Sequence, residues 1–347
     1  MLGEQMEPKI LSYDDVIKNT EGTDRILLLG NGFSMAYDNK RFSYTSLLSS
    51  ALESGIIKRN SPLHKAFILF ETKDFETIIK ALENAEHILQ AYNYKSIAEI
   101  KKDAENLKTY LVKVITNNHP DKCTDISNSE YLSAIKFISQ YNRIFTLNYD
   151  LLLYWTTMKY KELVETKQIK ETLDISDGFA STDKNEEYVR FISDPNILYL
   201  HGGLHIFDKG DSIVKNTYSR TDVPLKEQTL SNLKKDIYPV FISEGSCEQK
   251  LYKVMHNAYL NVCYRRLEKL SKTKPLIIFG SKLTSGDKHI RDAIMGSNCE
   301  SIYFPVSSKK QLKENGATEF LHAAEHAKKP KEVFFYDYHS VNVWGKK

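Results

Sequence analysis

The stretch Arg25-Ile26-Leu27-Leu28-Leu29-Gly30-Asn31-Gly32-Phe33-Ser34 decides the fold class. A short apolar run that ends in glycine reads as a strand buried on both faces, as in a parallel sheet with helices above and below. Gly30-Asn31-Gly32 turns the chain, and Ser34-Met35-Ala36 can open a helix. A glycine turn between strand and helix lets backbone N–H groups approach a diphosphate, and the helix N-terminus adds its positive dipole. Alone, this turn is a weak signal. Position 35 is methionine, so the full GxGxxG fingerprint is absent, and no acidic residue stands clearly on a second strand. A tight turn without a ligand explains these glycines equally well.

Outward from this stretch, strands are expected at 143–147, 188–192, 197–200, 240–243, 276–279, 302–306 and 333–336, with helices at 151–160, 249–271 and 287–295. Strands that alternate with helices make an α/β, Rossmann-like, mostly parallel sheet. From about residue 50 to 140 the periodicity turns helical. Phe75, Ile78, Ile79, Leu82, Ala85 and Leu89 share one spacing, as do Ile97, Ile100, Ala104, Leu107, Leu111 and Val114, and a third stripe runs from Tyr131 to Ile138. These helices read as an inserted subdomain, 51–139, within a sheet domain made of 20–50 and 140–347. Their stripes read as packing.

The 347 residues suffice for one large domain or two ordinary ones, and 41% hydrophobic with 27% charged residues is ordinary for a soluble globular chain. A net charge of +3 is too mild to argue for nucleic-acid binding. No run approaches the roughly 20 apolar residues of a membrane span, and no signal-peptide segment opens the chain, so a cytoplasmic location is the default. Cys123, Cys247, Cys263 and Cys299 lie far apart with no CxxC pair, which fits small core residues better than a zinc ribbon or a disulfide framework. The histidines show no HExxH or comparable pattern, so no metal is expected.

In open α/β sheets, ligands bind beyond the carboxyl ends of the strands, so the residues just after each strand carry the chemistry. Thr146-Leu147-Asn148-Tyr149-Asp150 places an asparagine and an aspartate there; Asp150 serves equally well as a cap for the next helix. The strand at 197–200 runs into His201-Gly202-Gly203. Histidine suits proton acceptance near neutral pH, and the glycines leave room for a bulky ligand. Gly280-Ser281 puts a small residue and a hydroxyl at a further strand end, while Asp287 reads as a helix cap.

In this order the motifs resemble the sirtuin family, and more closely the bacterial sirtuin-like proteins of antiphage defence. Gly30-Asn31-Gly32-Phe33-Ser34 resembles the family's GAGxS loop, with asparagine for alanine. Thr146 to Asp150 is similar to TQNxD, His201-Gly202 to the catalytic HG, Pro239 to Glu244 to VxFGE, and Gly280-Ser281 to the later GTS or GSS. The resemblance spans 25–36 and 142–290. It lacks the four-cysteine zinc module, since no cysteine stands between His201 and Glu244, which points away from a zinc-dependent deacylase.

The resemblance implies NAD as substrate and cleavage of its bond between nicotinamide and ribose. It implies Asn148 and His201 as catalytic: Asn148 holds the ribose and orients water, and His201 contacts the ribose hydroxyls and accepts a proton. Gly30, Asn31, Gly32 and Ser34 would bind the diphosphate, Gly280 and Ser281 the adenosine ribose, and Asp150 the nicotinamide end or Asn148 itself. It also implies a toxic effector of abortive infection, controlled by homo-oligomerisation or by a regulatory protein encoded nearby. Two rivals stand beside it. Gly32-Phe33-Ser34-Met35-Ala36 comes after a strand as the nucleophile elbow of a serine hydrolase does, although alanine replaces the last glycine. A module that senses NAD or ADP-ribose without turnover would keep the same loops.

Overall fold

The structure, a computed structural model, describes residues 8–94, 97–170, 172–181, 186–188, 194–217, 223–235, 237–242, 247–314 and 316–346. In chain order its strands are β1 (Ile10–Leu11), β2 (Ile26–Leu29), β3 (Arg143–Thr146), β4 (Phe179–Ser181), β5 (Glu186–Tyr188), β6 (Ile197–Tyr199), β7 (Gly202–Asp208), β8 (Ile213–Lys215), β9 (Pro239–Phe241), β10 (Leu276–Phe279), β11 (Ser301–Val306) and β12 (Glu332–Asp337).

Seven of them form one sheet in the order β1-β12-β11-β10-β2-β3-β6, with every pair parallel. Read from the other edge, β6-β3-β2-β10-β11-β12 is the 3-2-1-4-5-6 order of a Rossmann sheet, with β1 added beside β12. All four residues of β2 and of β10 are buried, which is why both are unbroken apolar runs. The strand order reverses between these two strands. That junction is the switch point where such sheets bind ligands.

Helices dominate the chain between β2 and β3. Phe75–Ala91 packs along Ile97–Asn118, and Tyr44–Glu53 and Leu225–Leu233 also pack on Ile97–Asn118. Asn128–Ile138 then leads into β3; its start is fixed by Ser127 and Glu130, which form a reciprocal capping box. The helix expected at 249–271 is two helices, Cys247–His256 and Ala258–Glu268. Asn257 divides them, because its extended backbone breaks the first and its side chain accepts from Tyr259 and Leu260 N–H to cap the second. The helix after the first loop is Gly32–Tyr37, opening two residues earlier than its hydrophobic pattern suggests.

The expectation of a single sheet needs correcting. A second sheet, β4-β5-β8-β7-β9, is antiparallel throughout. It takes Tyr188 from the strand expected at 188–192 and residues 240–241 from that expected at 240–243; residues 189–193 and 243 lie outside the described residues. β4, β5, β8 and β9 have three residues each, too few for alternation to reveal which sheet they join. Gly202 makes the crossing from β6 into β7. Its φ is +78°, and an added Cβ would fall 2.0 Å from the Val240 carbonyl oxygen of β9.

Trp344, 1% exposed, closes the back of the first loop. Its indole N–H donates to the Phe33 carbonyl at 2.9 Å, and the two rings lie 5.1 Å apart. Among the described residues no helix is long and apolar enough to cross a membrane.

Candidate functional site

At the switch point the loops after β2 and β10 pack backbone to backbone. Gly30 N–H donates to the Phe279 carbonyl at 2.8 Å, and Gly32 N–H to that of Gly280 at 2.9 Å. A Cβ on Gly32 would sit 2.4 Å from Gly280 Cα, and one on Gly30 would sit 2.5 Å from Ser281 Cβ. Tyr338 donates its hydroxyl to the Gly32 carbonyl at 2.9 Å. The glycines are thus required by the loop-to-loop contact itself. With both N–H groups engaged inside the protein, a diphosphate would meet the surface of this turn rather than the Gly30 and Gly32 donors.

In front of the loops lies a cavity of about 630 Å³. Gly30, Asn31, Gly32, Asn148, Asp150, His201, Gly280 and Ser281 all line it, so residues far apart in sequence converge on one space. Met35, Phe42, Leu47, Ile115 and Leu147 give it apolar lining, and Pro305 of β11 with Ser307, Gln311, Tyr338 and His339 beyond β11 and β12 lines it as well. Asp74, Asp287 and Lys282 supply charge. The helical stretch thus does more than pack, as its stripes alone suggest, because helical spacing does not say what a buried stripe faces.

Ser34 is the site residue that does not line the cavity. Fully buried, it donates its hydroxyl to Asp150 Oδ2 and accepts from Asn148 Nδ2 at 3.0 Å. Asp150 Oδ1 accepts from Leu152 N–H at 2.8 Å, the first N–H of the helix Leu152–Glu165, so this carboxylate, one residue before the N-cap Leu151, both steadies the helix start and joins the site. Burial raises the Asp150 carboxyl above its ordinary range, opposed by the hydrogen bonds from Ser34 and Leu152. A nucleophile elbow needs an exposed hydroxyl at the top of the sheet, and Ser34 has none to offer.

His119 braces the same segment from the helical side. Its Nε2 accepts from Leu151 N–H at 3.1 Å and its Nδ1 donates to the Pro120 carbonyl at 3.2 Å, while the ring packs edge-on to Trp155 at 4.4 Å. Burial lowers its pKa to about 3, which keeps the ring a neutral acceptor. In the sequence this residue is only part of the helix-breaking Asn117-Asn118-His119-Pro120-Asp121.

His201 is 4% exposed, and its Nε2 lies 3.2 Å from Nε2 of His289. The ring planes lie 19° apart with centroids 5.3 Å apart, so the two imidazoles meet edge to edge. Burial, then the charge of Lys250, holds His201 neutral well below its ordinary range, which makes it a poorer proton acceptor than its position after β6 suggests. His289, pushed to about 3 by burial and then by His201, has no mark in the sequence, where nothing local points to a partner 88 residues away. Gly202 serves the strand crossing and is not among the residues that line the cavity. Among the described residues no group of three or more His, Cys, Asp or Glu is placed to hold a metal ion.

No curated protein matches the sequence. A solved structure described as a Sir2 homolog–NAD complex is similar at 11% identity and a TM-score of 0.34, covering 92% of this chain and 96% of that one. A likeness of that size carries no argument about ligand or chemistry. The sequence profile of the family described as "Domain of unknown function (DUF4917)" matches residues 27–344, from within β2 to Trp344, and the chain belongs to that family.

Proposed function

We propose that the cavity binds NAD as substrate and that the protein hydrolyses the bond between nicotinamide and ribose. The observation that carries this reading is the convergence of Asn148, Asp150 and His201 with both glycine loops on one cavity at the switch point of a 3-2-1-4-5-6 sheet. The ordered strand-end motifs add to it, and about 630 Å³ lies within the roughly 300–1,000 Å³ range of ligand pockets.

Asn148, its amide N–H held by Ser34, presents its carbonyl oxygen to the ribose and to the attacking water. Asp150 orients Asn148 through the shared Ser34 hydroxyl and faces the nicotinamide end. His201 contacts the ribose hydroxyls as a neutral ring. The turn Gly30-Asn31-Gly32 lies against the diphosphate, and Gly280 and Ser281 lie near the adenosine ribose. As the carbon–nitrogen bond breaks, its electron pair leaves with nicotinamide, the water oxygen bonds to the ribose carbon, and one proton passes to solvent. Polar groups fixed around the ribose stabilise the charge that develops there.

In the same reading the enzyme is the effector of an antiphage system, restrained until self-assembly or a protein partner releases it. Residues 51–139 form the inserted subdomain that offers the contact surface. The test is to incubate the purified full chain with NAD and follow nicotinamide release, with Asn148→Ala and His201→Ala in parallel. Release by the native protein and none by the variants is expected. Activity surviving in both variants would sink the assignment, and tight binding of NAD with no product would favour the sensing module instead.

A further inference from the structure

Behind His201, outside the cavity lining, the second imidazole settles a question that bears on any ligand: which ring nitrogen carries the proton. His201 and His289 face each other through Nε2 at 3.2 Å, so one and only one of these two nitrogens holds a hydrogen when both rings are neutral. His289 is 1% exposed, and no described residue pairs with its Nδ1. If His201 donated through Nε2, the His289 proton would sit on that Nδ1, a buried N–H with no acceptor. If His289 donates, its Nδ1 is only a bare lone pair. Buried orphan donors are the rarer and costlier case.

The surroundings keep both rings neutral. His289 stands in the first turn of the helix Lys288–Gly296, whose dipole opposes a positive charge. Lys250 acts on both rings in the same direction, and of the nearby groups only Asp287 acts against it on His289. Tyr264 fixes the backbone by donating to the His289 carbonyl at 3.0 Å. On His201, Nδ1 is not among the buried atoms without a partner, and the residue lines the cavity.

We propose that His289 is a positioning residue that locks His201 in the Nδ1–H tautomer, so that the cavity receives a hydrogen-bond donor at this point. The ligand group that fits is an oxygen acceptor. If the NAD reading holds, on which this part rests, that group is a ribose oxygen, and His201 acts by donation rather than by taking a proton.

The test is nitrogen-15 NMR of the full chain with labelled histidine, the His201 signals being assigned by their loss in His201→Gln. His201 should carry its proton on Nδ1 in the native protein. In His289→Leu the lock is lost and the His201 signals should report a mixture of both tautomers, and His289→Gln, which keeps an amide donor, should restore the native pattern. Nicotinamide release should fall about tenfold in His289→Leu, as expected for one lost hydrogen bond, and recover in His289→Gln. A proton found on Nε2 of His201 in the native protein overturns the proposal, whether or not the His289 variants fold. Native protein that cleaves no NAD but shows the Nδ1–H tautomer would overturn the substrate reading and leave this inference standing.

Discussion

The molecule holds two buried polar clusters that look alike by composition and differ in what they open onto. The first, at the ends of β2, β3, β6 and β10, joins Ser34, Asn148, Asp150, His201 and His289. The second lies by the antiparallel sheet. There His205 is fully buried between Tyr154 and Tyr199, with ring centroids 4.6 and 5.0 Å away, and neither ring nitrogen has a partner among the described residues. Beside it Lys215 Nζ meets Asp177 Oδ2 at 2.6 Å. Both clusters carry an aspartate beside a histidine whose pKa burial lowers, yet only the first, through Asn148, Asp150 and His201, lines the cavity described above. Perturbed titration thus marks burial, and access decides which cluster can do chemistry.

The sharpest way to break this contrast is activity. Asn148→Ala should cost at least about a hundredfold in nicotinamide release, as removal of a positioned polar group does at other sites, whereas changes in the second cluster should leave the rate per folded molecule unchanged. Lys215→Met should instead cost about 3 kcal/mol in denaturant unfolding, because it strands Asp177 in a largely buried place. Gly202→Ala should cost about 2 kcal/mol, through the positive φ and the contact with Val240.

The smallest effect is one of pH. Burial, then Lys215, lowers the His205 pKa from 6.5 to about 3 in the folded protein. Between those values the unfolded chain binds more protons, so stability is lost as pH falls below 6.5. His205→Leu should shrink the stability difference between pH 7 and pH 5.5 by about 1 kcal/mol, measured by urea titration at each pH. A slope unchanged by the substitution would mean that this ring already finds a partner.

Legibility divides along the same line. The parallel strands could be read because β2 and β10 are apolar on both faces, and the role of the residues after them is set by position in the sheet. The antiparallel sheet could not, since three-residue strands such as β8 carry no period. Asn148, Asp150 and His201 stand out because each comes at the end of a strand. His119 and His289 act across 32 and 88 residues through single hydrogen bonds, and local pattern is silent at that range. The glycines are conspicuous in the sequence, but their cause lies in one another: Gly32 and Gly280 are small because each occupies the other's space.

Trp344 carries a consequence for the birth of the protein. The carbonyl it holds belongs to Phe33, 311 residues earlier, next to the Gly32 that abuts Gly280. A ribosome makes the glycine turn early and its brace hundreds of residues later, so throughout that interval the first loop has no partner at its back. A chain stopped before Trp344 would therefore carry the strand-end residues without the brace that holds the Phe33 carbonyl.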